Sequence, residues 1–218
     1  MNNIKTEYPD IYDEIFTRND YRVNADEITD RVVVDVGAHV GMFCLFVSQF
    51  NPALIIAIEP NKFCLDKLAN TLNIIPFLST QNVRYTFYQR AVHENTHDKL
   101  FLHGDKDSGE TSTSYYKSDR PVDANITLSQ IAEMYCLYDK DVGSVLKMDC
   151  EGSEFNILLN TPKETINTFE HIYIEIHQNG LFPVEYLKNH IISCGFELVS
   201  DFYNRAIHPN NVCKFRRI

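Results

Sequence analysis

The sequence lacks any apolar run long enough to cross a membrane. A bilayer helix needs about 20 predominantly apolar residues. The longest comparable stretch, Val32–Val36 with Ala38–Phe50, is broken by Asp35, His39 and Gln49. No apolar h-region follows Met1, so no secretory signal is expected. Paired CxxC cysteines are also missing. The six cysteines, Cys44, Cys64, Cys136, Cys150, Cys194 and Cys213, are scattered through apolar surroundings. The expectation is buried free thiols in a reducing cytoplasm, not a disulfide framework or a zinc site. Basic residues are scarce: 20 Lys+Arg stand against 30 Asp+Glu, a net charge of -10. Phosphate affinity comes from clustered Lys and Arg, so nucleic acid and anionic membrane are disfavoured as partners. Internal repeats and low-complexity tracts are absent as well.

What is present is an ordinary globular composition. The 218 residues, 44% hydrophobic and 23% charged, suffice for one domain over 1–218 with a substantial core. Residues 8–28 read as a helical or irregular part of a lead-in (1–30). Strands are predicted at Val32–Val36, Leu54–Ile58, Val83–Tyr88, Val145–Asp149 and Ile172–His177. Lys99–His103 reads as a short edge strand, and Phe196–Ser200 with Val212–Arg216 as a closing pair. Helices are predicted over Gly41–Phe50, from the cap Asn61 to Leu72, from Thr127 or Ser129 through Tyr135, over Glu151–Leu159 and over Val184–Ser193. In the second of these, Phe63, Leu65, Leu68 and Leu72 are expected to face inward. Residues 104–121 are polar and read as a long loop. Strands alternating with helices predict an α/β fold with a parallel, doubly wound sheet. Its ligands sit beyond the C-terminal strand ends, where strand order reverses.

The residues just after each strand therefore carry the chemistry. After the first strand, Gly37 and Gly41 would let backbone approach a ligand. His39 stands where a G-x-G-x-x-G fingerprint needs glycine, which disfavours a nicotinamide enzyme. A pyrophosphate there would face the like charge of Asp35. A cation would be welcomed. S-adenosylmethionine (SAM) is such a ligand, with a sulfonium and an ammonium and no phosphate. Glu59, ending the second strand, suits the two ribose hydroxyls as a bidentate acceptor. On the fourth strand Lys147 and Asp149 share a face, and on the fifth Glu175 and His177 do. Asp149, Glu151, Glu175 and His177 are thus expected near one place, with Lys147 pairing one of them. For Glu151 and Glu154 a plainer role is a carboxylate in a first helical turn, favoured by the helix dipole.

These residues resemble the FkbM family of SAM-dependent methyltransferases. The matching segments are Val-Asp-Val-Gly-Ala-His-Val-Gly (34–41), Ile-Glu-Pro-Asn (58–61), Arg-Ala-Val (90–92), Thr-Leu-Ser-Gln-Ile (127–131), Leu-Lys-Met-Asp-Cys-Glu-Gly-Ser-Glu (146–154) and Ile-Glu-Ile-His (174–177). The resemblance implies a class I methyltransferase Rossmann-like fold: a seven-stranded, mostly parallel sheet, last strand antiparallel, with helices on both faces. It implies SAM as methyl donor and a hydroxyl acceptor on a sugar or natural product. It places Asp35, Gly37, Ala38, His39, Gly41, Glu59, Pro60, Asn61, Arg90 and Ala91 at the cofactor. Ser153 stands where Ala is more usual, and Cys150 where Val or Ile is. Segments 1–30 and 104–121 fall outside the match and are expected to hold acceptor specificity.

Methyl transfer from a sulfonium is an in-line displacement, so the protein mainly aligns the reactants. A sugar hydroxyl is a weak nucleophile and needs a base or a cation that lowers its pKa. His177 is the expected base, since its ordinary pKa lies near working pH. Asp149 is the second choice, or the group that orients the base. Asp149, Glu175 and His177 are also the expected ligands of a divalent ion, Mg²⁺ or Mn²⁺. In the loop, Asp105, Asp107, Thr111, Ser112, Thr113, Tyr115 and Tyr116 suit a sugar's hydroxyls. The expectation is an O-methyltransferase acting on a sugar or glycan, a deoxysugar such as rhamnose included. Its alternatives are a non-sugar natural product as acceptor, or a SAM-binding module without catalysis. A nucleic-acid methyltransferase is disfavoured, because no Asn/Asp-Pro-Pro-Tyr type motif occurs and the basic cluster Lys214-Phe-Arg-Arg217 reads as a solvated strand end.

Overall fold

A computed structural model describes residues 2–73, 83–104, 111–139, 141–178, 180–202 and 211–218. Its main sheet comprises β1 (Val32–Val36), β2 (Leu54–Ile58), β3 (Arg84–Tyr88), β8 (Ser144–Met148), β9 (His171–Ile176), β10 (Phe196–Phe202) and β11 (Asn211–Arg217). The strand order is β10-β11-β9-β8-β1-β2-β3. Strands β1, β2, β3, β8 and β9 run parallel. The last strand, β11, lies antiparallel between β9 and β10. The chain therefore leaves β1 outward through β2 and β3 and returns to β8 on the other side of β1. That reversal opens the crevice where such sheets bind ligands.

The core strands form because β-branched runs are buried on both faces. Val32, Val34 and Val36 pack with Leu146, Ile172 and Ile174 against helices Leu128–Met134, Glu154–Asn160 and Val184–Ser193. Val33, Val145 and Tyr173 face the other way, onto helices Met42–Ser48 and Lys62–Leu72 and onto the lead-in. The lead-in comprises helices Asn2–Glu7 and Pro9–Tyr12, a π-helix Asp13–Arg18 and a 3₁₀ turn Ala25–Glu27. Asn61 caps helix Lys62–Leu72, its side chain accepting from Phe63 N at 3.1 Å. Of the two predicted caps for the next helix, Thr127 is the one used, in a reciprocal capping box with Gln130.

Several expectations are corrected. The inward stripe of helix Lys62–Leu72 is Cys64, Leu68, Thr71 and Leu72, with Leu65 partly buried against the same core as expected; Phe63 is 40% exposed and lies under the Lys67 ammonium instead. The helix expected from Glu151 begins at Glu154, because Glu151 (φ +52°) and Gly152 (φ +101°) form a turn. Phe101–His103 (β5) is no edge strand of the main sheet: it pairs with Ser112–Ser114 (β6), inside the expected loop. A second short ladder, Ala91–Val92 (β4) with Asn125–Ile126 (β7), was not foreseen. Cys136 is exposed, not buried, in a left-handed conformation just past a helix end. Among the described residues no helix is long and apolar enough to cross a membrane.

Candidate active site

A cavity of about 810 Å³ lies beyond the C-terminal ends of β1, β2, β8 and β9. Its volume is in the range that holds a nucleoside-sized ligand. The turn after β1 forms one wall. Gly37 has φ +76°, and a Cβ there would stand 1.7 Å from the Asp149 carbonyl oxygen, so the turn presses directly on the end of β8. Ala38 and His39 follow it into the lining. The His39 ring meets Tyr8 edge-on, and burial lowers its pKa to about 4, so the ring is neutral. Its Nε2 is buried with no hydrogen-bond partner among the described residues. Gly41, expected at the cofactor, lies outside the lining. Its φ of +83° ends the turn, and a Cβ there would strike Leu68.

Glu59 projects from the end of β2 and is 7% exposed. Its Oε2 accepts from His39 N at 2.9 Å and its Oε1 from Asn61 N at 2.8 Å. Burial outweighs these bonds and raises its pKa to about 7. A carboxylate offers roughly four acceptor sites, so about half its capacity is left for a diol. Pro60, Asn61, Arg90 and Ala91 continue this side of the lining.

Asp35 does not reach the cavity. It shares a sheet face with Val33, is fully buried, and stands 3.3 Å from Lys147 Nζ on the neighbouring strand. Lys147 also lies 3.7 Å from Asp149, donates to the Gly37 carbonyl at 3.1 Å, and is flanked by the rings of Tyr21 and Phe43. Burial opposes its charge, but Asp35 and Asp149 outweigh that and hold its pKa above the ordinary lysine value. Asp35 and Lys147 thus form a buried pair that braces the β1 turn against β8.

At the far side, the predicted convergence is present. His177 Nε2 lies 3.3 Å from Glu151, 3.5 Å from Glu175 and 3.9 Å from Asp149. Its Nδ1 donates to Glu154 Oε1 at 3.0 Å. Glu154 is fully buried and also accepts from the backbone of Cys150 (2.8 Å) and Gly152 (3.1 Å), so it shapes the turn as well as holding the ring. Burial alone would lower the His177 pKa; the Glu154 hydrogen bond and the charges of Glu154, Asp149 and Glu175 raise it to about 10. The expected base is therefore an imidazolium at neutral pH. The expected metal set is altered too: the side chains that converge within 4.8 Å are Asp149, Glu151 and His177, with Glu151 in place of Glu175. The imidazolium already supplies a positive charge among these acids, and an ion would have to displace its proton.

The lead-in roofs the cavity with Asp10, Ile11, Glu14, Ile15 and Arg18. Tyr21, 2% exposed, donates to Asp149 Oδ2 at 3.3 Å. Thr111 and Thr113 supply the rim: Asn61 Nδ2 donates to Thr111 at 3.5 Å, and Thr113 bonds Ser153 at 3.1 Å. Ser112, Tyr115 and Tyr116 do not line the cavity, and Asp105 and Asp107 lie outside the described residues. The sequence points to segment 1–30 as part of the site but singles out none of its residues, and it gives Glu154 no partner. Glu154 did carry a signal, an acid three residues past Glu151, but helix-dipole reasoning accounted for it without a partner.

Comparison with known proteins agrees with this geometry. The family described as the methyltransferase FkbM domain matches residues 35–198. Methyltransferase sdnD of Sordaria araneosa is 27% identical over 205 residues, covering 82% of this chain and 79% of that protein. The crystal structure of methyltransferase FkbM from Methylobacillus flagellatus superposes with a TM-score of 0.56 at 16% identity, over 94% of this chain and 47% of that one. An rRNA methylase from Streptococcus thermophilus gives 0.53 at 12% identity, over 94% and 96%. At such identities the two structures speak for the fold alone. With most of its length matched and the glycine turn, Glu59 and the β8–β9 acids in place, the chain belongs to the FkbM family of SAM-dependent methyltransferases.

Proposed function

We propose that this chain transfers the methyl group of SAM to a hydroxyl of a sugar or glycan. The observation that carries the reading is the ring of carboxylates around His177, beside the Gly37 turn. The lining fits SAM: Glu59 keeps acceptor capacity for a diol, His39 has an orphaned buried Nε2, and the acids suit a sulfonium and an ammonium. When bound, SAM supplies a methyl already activated on sulfur. The protein's own work is to align the acceptor and move one proton.

Asp149 is the carboxylate placed to take that proton. Tyr21 and Lys147 hold it from one side, and His177 faces its other oxygen. His177, oriented by Glu154, offers its Nε2–H to an acceptor oxygen and balances the surrounding acids. Glu151, Glu175, Thr111 and Thr113 supply acceptors for the remaining hydroxyls of a polyol.

Mass spectrometry after incubation with SAM and a panel of deoxysugar glycosides tests the reading. A singly methylated glycoside supports it. SAM bound with no transfer across the panel would leave a binding module and sink the proposal. Parallel reactions with EDTA address the divalent ion, since loss of turnover restored by Mg²⁺ would return it to the site. His177→Ala should lower kcat by about 10²-fold or more while SAM affinity holds. Glu59→Ala should instead weaken SAM binding, read by calorimetry.

A further inference from the structure

Sugars are presented to transferases in two chemical forms. They arrive activated on a nucleoside diphosphate, or already transferred, as a glycoside. We infer that the acceptor here is the phosphate-free form, a glycoside, so that a glycosyl-transfer reaction precedes methylation. The inference rests on the sugar O-methyltransferase reading.

The cavity is rich in acids. Asp149, Glu151 and Glu175 line it around His177, and the lead-in adds Asp10 and Glu14. Three cations of the lining, Arg18, Lys147 and His177, are paired with the protein's own carboxylates. Arg18 is clamped by Asp13 and by Asp20, the latter at 2.9 Å. Lys147 is held by Asp35, Asp149 and the Gly37 carbonyl. His177 is held by Glu154, and Arg90 donates to the Asn125 carbonyl at 3.3 Å. A diphosphate is bound by Arg or Lys forks or by open backbone amides. The amides of Cys150 and Gly152, which open the turn beside the acceptor, are taken by the protein's own Glu154. A diphosphate entering beside His177 would meet the like charge of these acids, and the lining cation without a carboxylate partner among the described residues, Arg90, lies on the Glu59 side instead. An uncharged glycoside carries no charge for these acids to repel, and its hydroxyls can donate to them.

The test is a matched pair of acceptors: the methyl glycoside and the dTDP-activated form of one deoxysugar. Initial rates at saturating SAM give kcat/KM for each. The expected result favours the glycoside by about tenfold or more, which corresponds to about 1.4 kcal/mol. The gap should narrow with added salt. Asp10→Asn with Glu14→Gln should raise kcat/KM for the dTDP-sugar relative to the glycoside. Equal turnover, or preference for the dTDP-sugar, overturns the inference and leaves the sugar reading standing. Transfer to neither, with SAM binding intact, removes the sugar reading and the inference with it.

Discussion

Glu59 and His177 are both displaced from their ordinary charge behaviour, in ways that make opposite demands on pH. Glu59 titrates at about 7 because burial disfavours its carboxylate. Two donated hydroxyls would favour the ionised form. SAM affinity should therefore rise with pH below about 7, by up to about tenfold per unit, and binding near neutrality should release a proton. Calorimetry in buffers of different ionisation enthalpy reads both effects, and Glu59→Gln should abolish both. His177 runs the other way. Its pKa is raised from 6.5 to about 10, so its contribution to stability is full below 6.5 and is lost as pH rises toward about 10. Turnover that needs the imidazolium falls over the same upper range. A rate that climbs log-linearly toward pH 10 would instead make His177 the base and Asp149 its partner. The convergence of these groups was legible in the sequence, because strand alternation fixes which residues share a face at a strand end. The protonation state was not. It depends on Glu154 folding back from a helix start, a contact that no spacing rule encodes.

Strands and turns differ in how plainly the sequence announces them. The β-branched runs Val32–Val36 and Leu54–Ile58 are found with the bounds read from sequence, because burial on both faces leaves little choice of register. The turns are harder, because His39 and Glu151 adopt left-handed conformations that their residue types do not announce. The β5–β6 hairpin was hidden in a polar stretch for the same reason: its anchor is distant. Tyr115, just after β6, bonds buried His93 and also Asp98, each at 3.0 Å. This latch positions Thr111 and Thr113 at the cavity rim. Tyr115→Phe should raise KM for the acceptor several-fold, with SAM affinity and the unfolding midpoint little changed. An unaltered acceptor KM would reduce the latch to a surface contact. Gly37→Ala belongs to the same scale but should act globally. With φ +76° and Asp149 oxygen in the way, it should cost about 3 kcal/mol or more of stability, read by denaturant unfolding.

Across the whole molecule, the acid excess is distributed more pointedly than a bulk figure of -10 suggests. The basic cluster at the C-terminal end is neutralised where it stands: Arg216 pairs with Glu197, Arg217 with Glu170, and Lys214 with Glu27. Lys214 is 4% exposed, so this residue of the expected solvated strand end is a buried tie instead, while Arg216 is exposed and Arg217 half-buried. It fastens the last strand to the lead-in: its Nζ lies 2.6 Å from Glu27 and donates to the Arg22 carbonyl, while Tyr173 donates to the same Glu27. The lead-in carries Tyr21, Asp10, Glu14 and Arg18, so the tie holds this part of the cavity lining to the sheet. Lys214→Met alone leaves Glu27 without its cation, and should cost about 3 kcal/mol. Lys214→Met with Glu27→Gln keeps an acceptor for Tyr173 and leaves no unpaired charge, so much of that loss should return. Urea unfolding of the four proteins of this cycle gives the coupling energy. Coupling near zero would mean that the Lys214–Glu27 pair adds nothing to the fastening of the lead-in. Where coupling is found, the single variant should lose acceptor turnover before it loses SAM affinity, because the roof belongs to the acceptor half while the Gly37 turn and Glu59 belong to the sheet.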